Sequence, residues 1–459
     1  MEKILEIKGK HYTLEAIKLN TFTDITDEVV TRDTTYLFRG NTRGLKGNIF
    51  FIKGEKSYAI ITFCADFEIA EIYVKDFSVY LSECEHIILE GDENTVRKYL
   101  LRYAPKRLIT MSNTWGDCNG FSRVNSEFVK REIDASTRLG LDIAQIDDGW
   151  QKGKTNDRSI FDELGRRKFC GDFWETDTKS FPEGLDEMSD YAENRIELGL
   201  WFAPDFHDNF AYYDRDVNIL KNASDKFKFF KLDMLHIHNK EDRDKFISML
   251  EELGKVASLE LDVTNGQRLG YLLSMRYGII FLENRYTKTA NYYPYRTLKN
   301  LWDLSRYIPA QTLQVELANP DLNIEAYGDD IFKPSEYTMD YLFASVMVSN
   351  PLFWMETQFL GENRIKELNN ILPLWKSLRQ DFVKSEIIPI GERPSGASFT
   401  GFMIKGEKTY AVVFRENTEI AEYDFNIPSF KVLLSNGEVC NKNGKIAFSD
   451  KNCYALLEI

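Results

Sequence analysis

From Arg107 to Phe382 the chain alternates short apolar runs with amphipathic stretches, the pattern of βα units wound around a parallel sheet. The predicted strands cover Leu108 to Trp115, Ile143 to Asp147, Gly199 to Ala203, Phe229 to Asp233, Leu259 to Val263, Ile279 to Glu283, Leu313 to Leu317 and Leu352 to Glu356. Strands covered on both faces read as continuous apolar runs, as these do. Between them Phe246, Met249, Leu250, Leu253 and Val256 recur at spacings of three and four, and so do Ile365, Leu368, Ile371, Leu372 and Trp375. That period predicts helices with one buried face, the second kinked at Pro373. Eight such repeats fit a (β/α)8 barrel, whose usual size is ~250 residues, with a doubly wound open sheet as the alternative.

The two ends follow a different pattern, with short β-type runs such as Asn48 to Phe51, Tyr58 to Phe63 and Ile87 to Leu89 separated by charged turns. The octapeptide Ile52-Lys53-Gly54-Glu55-Lys56-Ser57-Tyr58-Ala59 returns as Ile404-Lys405-Gly406-Glu407-Lys408-Thr409-Tyr410-Ala411. Each copy predicts a hairpin turning at Gly-Glu-Lys, arising either by internal duplication or independently. The expected organisation is an α/β chain: a β-sandwich-like domain over residues 1–105, a barrel over 106–385 and an antiparallel β domain over 386–459.

Composition narrows the function. Among 459 residues, 58 Lys and Arg oppose 72 Asp and Glu, a net charge of −14, so neither nucleic acid nor an anionic membrane is an expected partner. At 14% aromatic and 43% hydrophobic, the chain folds rather than remaining disordered. The charged start Met1-Glu2-Lys3 and the lack of a long apolar run predict a soluble cytoplasmic protein. Six scattered cysteines, none in CxxC spacing, are expected to be buried thiols, and neither a metal site nor a cofactor is indicated. Oligomeric state leaves no mark on the sequence.

Carboxylates are the abundant reactive group. At or just past the predicted strand ends stand Asp117, Asp147 with Asp148, Asp205, Asp233, Asp262, Glu283, Glu316 and Glu356. A barrel of this kind places its chemistry at that rim. Singly, Asp117, Asp262 and Glu316 are expected to be caps or salt-bridge partners. As a ring, the acids suit either a divalent cation or glycoside hydrolysis by paired carboxyls. Trp115, Trp150, Trp201 and Trp354 fall beside the same strand ends, where indole faces offer platforms for sugar rings, and this favours a neutral sugar.

Four segments together resemble a known group. Asp147-Asp148-Gly149-Trp150, Phe181-Pro182-Glu183-Gly184-Leu185, Gly199-Leu200-Trp201-Phe202-Ala203-Pro204-Asp205 and Lys231-Leu232-Asp233 are similar, in order and spacing, to the DDGW, KFPxGL, GLWFxPE and KWD motifs of glycoside hydrolase family 36, the α-galactosidases and their relatives. Asn113-Thr114-Trp115 resembles the NTW of that family's first strand, and Asn265-Gly266-Gln267-Arg268 a degraded form of its GGGR loop. The resemblance implies a retaining α-glycosidase with Asp233 as nucleophile. Asp147 and Asp148 would bind the C4 and C6 hydroxyls of the terminal sugar, Trp115 and Trp201 would line the pocket, and Asp205, Asn265 and Arg268 would complete it, Arg268 near the C2 hydroxyl. Lys231, two residues from Asp233 on one strand face, is expected to hold the nucleophile ionised and to reach a sugar hydroxyl.

The family's acid/base motif, W-T-S-D, corresponds here to Phe281-Leu282-Glu283-Asn284, which sets an amide at the acid position. Glu283 is the nearest ionisable candidate; the alternative is that Glu283 pairs with Arg285 and that Asp329 or Asp330 serves. The expected function is hydrolysis of an oligosaccharide or α-glycoside. A transglycosylase of the raffinose-synthase type and a silent sugar-binding protein are the competing readings.

Overall fold

Eight parallel strands close into a barrel in chain order: Met111–Asn113, Ile143–Ile146, Glu197–Phe202, Phe229–Leu232, Ser258–Asp262, Ile279–Phe281, Leu313–Leu317 and Asn350–Phe353. Closure excludes the open-sheet alternative. The computed structural model describes all residues except 10, 22–27, 117–122, 156–170, 205–209, 265 and 283–284. A helix follows each strand: Ser126–Leu139, Asp186–Ala192, Tyr213–Ala223, Lys240–Leu253, Gly270–Ser274, Pro294–Ser305, Met339–Val346 and Glu362–Lys384. The first is delimited by its ends, since Asn125 caps the Phe128 N–H at 3.0 Å and Gly140 leaves it with φ +72°. The last continues as a single helix through Pro373, with Leu368, Leu372 and Trp375 buried on either side of the proline.

The N-terminal strands form two sheets. One is five-stranded, in the order Val30–Tyr36, Thr13–Leu19, Ile49–Lys53, Tyr58–Thr62, His86–Glu90; the other pairs Glu2–Glu6, Ser78–Leu81, Ala70–Lys75 and Leu45–Gly47. The run Ile49-Phe50-Phe51-Ile52 is apolar throughout because the larger sheet is buried on both faces. Phe50 and Ile52 fill the space between the sheets, while Ile49 and Phe51 belong to the barrel's core, with Phe51 6.2 Å from the ring of Tyr307.

The C-terminal residues repeat this arrangement. A sheet in the order Glu386–Gly391, Phe399–Lys405, Thr409–Arg415, Cys453–Glu458, Lys431–Ser435 lies beside a three-stranded one, Glu422–Tyr423, Lys445–Phe448 and Val439–Lys442. Val413 and Phe448 pack between the two sheets, and Val412 and Phe414 pack toward the barrel. Both repeated octapeptides form hairpins of the same register, Ile52 opposite Tyr58 and Ile404 opposite Tyr410. They face opposite ways: Ile52 points into the N-terminal sandwich, Ile404 toward the barrel core.

Among the described residues no helix is long and apolar enough to cross a membrane. Cys64 and Cys453 are buried, as expected of structural thiols, but Cys84 is only half-buried and Cys440 is exposed. Cys440 sits on the edge strand Val439–Lys442, where no second layer covers it. Cys118 and Cys170 lie outside the described residues.

Candidate active site

Alternation along the barrel strands sorts their side chains. On the fourth strand Phe229 and Lys231 face the lumen, followed by Asp233 just past the strand end, while Phe230 and Leu232 face the helices. Ile109, Met111, Ile143, Phe229, Ile279 and Leu352 form an apolar plug low in the barrel. Above it, at the C-terminal mouth, opens a cavity of about 220 Å³ walled by Trp115, Asp147, Asp148, Trp201, Lys231, Asp233, Asp262, Arg268, Tyr286 and Trp354.

Asp233 is held by a set of donors. Trp201 Nε1 donates to its Oδ2 at 3.0 Å, and the Met234 N–H donates to its Oδ1 at 2.5 Å. Met234 adopts a left-handed φ of +53°, unusual for a residue with a Cβ, and that turn carries its N–H onto the carboxylate. Burial alone would favour the neutral acid. The positive charges of Lys231 and Arg268, with hydrogen bonds from Trp201 and Asp262, outweigh it and hold the Asp233 carboxyl below the ordinary aspartate range.

Asp262 corrects a sequence expectation. Instead of serving only as a cap, it lines the cavity beside Asp233. Its Oδ1 accepts from Thr264, from the N–H at 2.7 Å and from Oγ1 at 2.6 Å. Burial, reinforced by the charge of Asp233, pushes the Asp262 carboxyl up to about 7. Asp233 therefore favours the ionised form and Asp262 the neutral one.

Lys231 pairs directly with Asp147 rather than with Asp233: its Nζ lies 3.2 Å from Asp147 Oδ2, and both side chains are 3% exposed. The ammonium also sits 4.6 Å above the ring of Trp354 and 4.9 Å above that of Phe281. Burial disfavours its charge, but Asp147, Asp233, Glu260 and Asp262 reverse this and hold it above the ordinary lysine value. Asn113 Nδ2 donates to Asp147 Oδ2 at 2.6 Å, and Thr114 Oγ1 accepts from the Asp147 N–H at 2.9 Å, which gives the Asn-Thr-Trp segment its role.

Gly149, at φ +122°, turns the chain so that Gln151 reaches back to Asp148 Oδ1 at 2.5 Å, and Thr155 Oγ1 donates to Oδ2. Burial, with the neighbouring charges of Asp147 and Asp233, pushes Asp148 up to about 6.

Aromatic rings complete the wall. Trp115 Nε1 donates to Tyr286 Oη at 2.9 Å, and Tyr286 lies 5.9 Å from the ring of Trp354. Arg268 Nε and Trp354 Nε1 are buried donors without a partner among the described residues. Both residues line the cavity, where a polyhydroxylated ligand would supply acceptors.

Of the site residues predicted from sequence, Asp147, Asp148, Lys231, Trp115, Trp201, Asp233 and Arg268 come together in this one cavity. Glu283, Asp205 and Asn265 lie outside the described residues. Trp150 stands behind the site as a support, donating from Nε1 to the Trp201 carbonyl at 2.9 Å. Asp329 and Asp330 are not in the described cavity wall; Asp330 accepts from Tyr293 Oη at 3.0 Å instead. Glu316 accepts the Arg285 N–H, 31 positions away in sequence, at 2.8 Å. Met234, Thr155 and Tyr286 were not foreseen; the Trp-Tyr-Trp contact joins the first, sixth and eighth βα loops, so no sequence spacing announces it.

No protein-family model matches the sequence. Its most similar curated relatives include the α-galactosidase Mel36A of Lactobacillus acidophilus, 34% identical over 82 residues, a stretch that is 18% of this chain and 10% of that protein. Solved structures similar in fold include the α-galactosidase of Lactobacillus brevis, 12% identical with a TM-score of 0.69, aligned over 99% of this chain and 75% of that one. A variant of the family 36 α-galactosidase AgaA of Geobacillus stearothermophilus in complex with raffinose is 13% identical with a TM-score of 0.66, over 98% of this chain and 75% of that one. The chain has the fold of glycoside hydrolase family 36 α-galactosidases, a barrel flanked by β-sheets, and the motif resemblance falls on that barrel.

Proposed function

We propose that this chain is a retaining, exo-acting α-glycosidase of α-galactosidase type that hydrolyses terminal α-linked sugars through a covalent glycosyl–enzyme intermediate. The observation that carries the reading is Asp233: an ionised carboxylate, oriented by Trp201 and Met234, at the wall of a cavity whose other sides are aromatic rings and hydroxyl-binding groups. About 220 Å³ is below the ~300 Å³ lower bound of ordinary ligand pockets and suits one sugar ring, hence removal of a terminal unit.

In this mechanism Asp233 attacks the anomeric carbon while Glu283 protonates the leaving oxygen and then activates water. Asp147 and Asp148, stiffened by Asn113, Gln151 and Thr155, bind hydroxyls on the far side of the ring, with Asp205, Asn265 and Arg268 completing the pocket. The names of the relatives, and raffinose in the cited complex, support an α-galactoside as the first substrate to try.

The test is a panel of nitrophenyl α-glycosides together with a mechanism-based fluoro-sugar. Release of nitrophenol from one sugar, and a covalent label on Asp233, are the expected results. Label on another residue would overturn the nucleophile assignment, and no turnover of any glycoside would overturn the enzyme reading. Transfer to an acceptor sugar in place of water would make the enzyme a transglycosylase.

A further inference from the structure

Arg268 reaches the cavity from a loop with little structure of its own. Gly266 and Gln267, immediately before it, are both left-handed, at φ +68° and +54°. The loop is gripped from two sides. On one, the Ile237 N–H donates to the Gln267 carbonyl at 2.9 Å. On the other stands Asp66, from the N-terminal sandwich, 202 positions away in sequence. Asp66 Oδ2 accepts the Arg268 N–H at 3.0 Å, and the Asp66 N–H donates to the Arg268 carbonyl at 3.0 Å, so one residue of the sandwich binds both backbone polar groups of one residue of the site. Thr21 Oγ1, also from the sandwich, donates to the same Asp66 oxygen at 3.1 Å.

We propose that Asp66 is a positioning residue of the active site, acting solely through Arg268, so that the N-terminal sandwich is a working part of the barrel's pocket. The inference rests on the glycosidase reading for its kinetic readout but not for its structural one. Arg268 is 6% exposed, and its charge bears on both Asp233 and Asp262, so a small displacement of its backbone is felt at the nucleophile. Misplacement by about 1 Å costs on the order of 10²-fold in rate.

The test uses the full chain. Asp66→Ala is expected to speed hydrogen exchange at the Arg268 amide and to lower kcat/KM on a nitrophenyl α-galactoside by on the order of 10²-fold. Asp66→Asn, whose amide oxygen still accepts from the Arg268 N–H, should keep most of the activity. In the Arg268→Ala background, Asp66→Ala should cause no further loss. Glu85→Ala breaks a different sandwich–barrel contact, the paired bonds from Arg276 at 2.8 and 2.5 Å, and should lower stability without changing kcat/KM. Unchanged exchange at Arg268 in Asp66→Ala, or independent losses in the double variant, would overturn the proposal. If the wild type turns over no glycoside, the function reading fails while the exchange experiment still decides the clamp.

Discussion

Asp233 and Asp262 leave adjacent barrel strands at the same level, one step beyond the paired residues Leu232 and Leu261, and both line the cavity, Asp233 held toward its ionised form and Asp262 pushed toward its neutral one. In the proposed mechanism Asp262 tunes the charge beside Asp233, and the proton donor is Glu283. Since Asp262 loses its proton near pH 7, kcat/KM is expected to decline as pH rises through that value, when a second negative charge appears beside the proposed nucleophile. Asp262→Asn keeps a donor and does not titrate, so its profile should stay flat there. A wild-type-like decline in the variant would show that another group sets this limb.

Removal of the proposed reacting groups separates their roles. Asp233→Ala should abolish turnover of every α-glycoside. Glu283→Ala should lose about 10² to 10⁴-fold on a natural oligosaccharide, the range for a missing general acid, while sparing aryl glycosides whose leaving groups need little protonation. Normal cleavage of the oligosaccharide by Glu283→Ala would return the search to Asp329, Asp330 and the remaining acids.

Lys231 and Asp147 form a buried ion pair, and breaking it from one side leaves a charge without compensation. Lys231→Met is expected to destabilise the fold by about 3 to 5 kcal/mol. Adding Asp147→Asn should recover most of that stability without restoring activity. Thermal melts of the single and double variants measure this directly, and equal melting temperatures would contradict it.

Stability should also respond to pH in a set direction. Burial pushes Asp148 to about 6, Asp262 to about 7 and Glu260 to about 8. Between about pH 4 and 8 the folded chain therefore keeps protons that the unfolded chain releases, so these groups lower stability as pH rises through that window. Asp233, held below its ordinary value, acts in the opposite sense, but only at acidic pH. The melting temperature is expected to fall from about pH 5 to about pH 8 at constant ionic strength, and less steeply in Glu260→Gln. A rise over that interval would count against protonated carboxyls in the core.

The barrel was legible because its strands are covered on both faces and acids follow them at the mouth, as Asp147 follows Ile143–Ile146 and Asp233 follows Phe229–Leu232. The Asp147, Lys231 and Asp233 positions followed from strand-end logic. Asp262 did not, because an acid after a strand most often caps a turn; only the pairing of the fourth and fifth strands brings it to Asp233. The Asp66 contact with Arg268 was hidden for a related reason, since backbone hydrogen bonds between distant loops carry no residue pattern. Lys231 was assigned to the right charge cluster and its charge does bear on Asp233, but spacing along one strand cannot show that Asp147, two strands away, lies within ion-pair distance.

The two Gly-Glu-Lys hairpins separate two kinds of information in this chain. Transplanting one for the other would preserve every cross-strand partner, since Ile52 meets Tyr58 just as Ile404 meets Tyr410. It would also turn each of those pairs toward the wrong neighbour, because one pair looks into the sandwich and the other toward the barrel. What eight residues encode is who sits opposite whom; which side is inside is decided by the sheet that receives them.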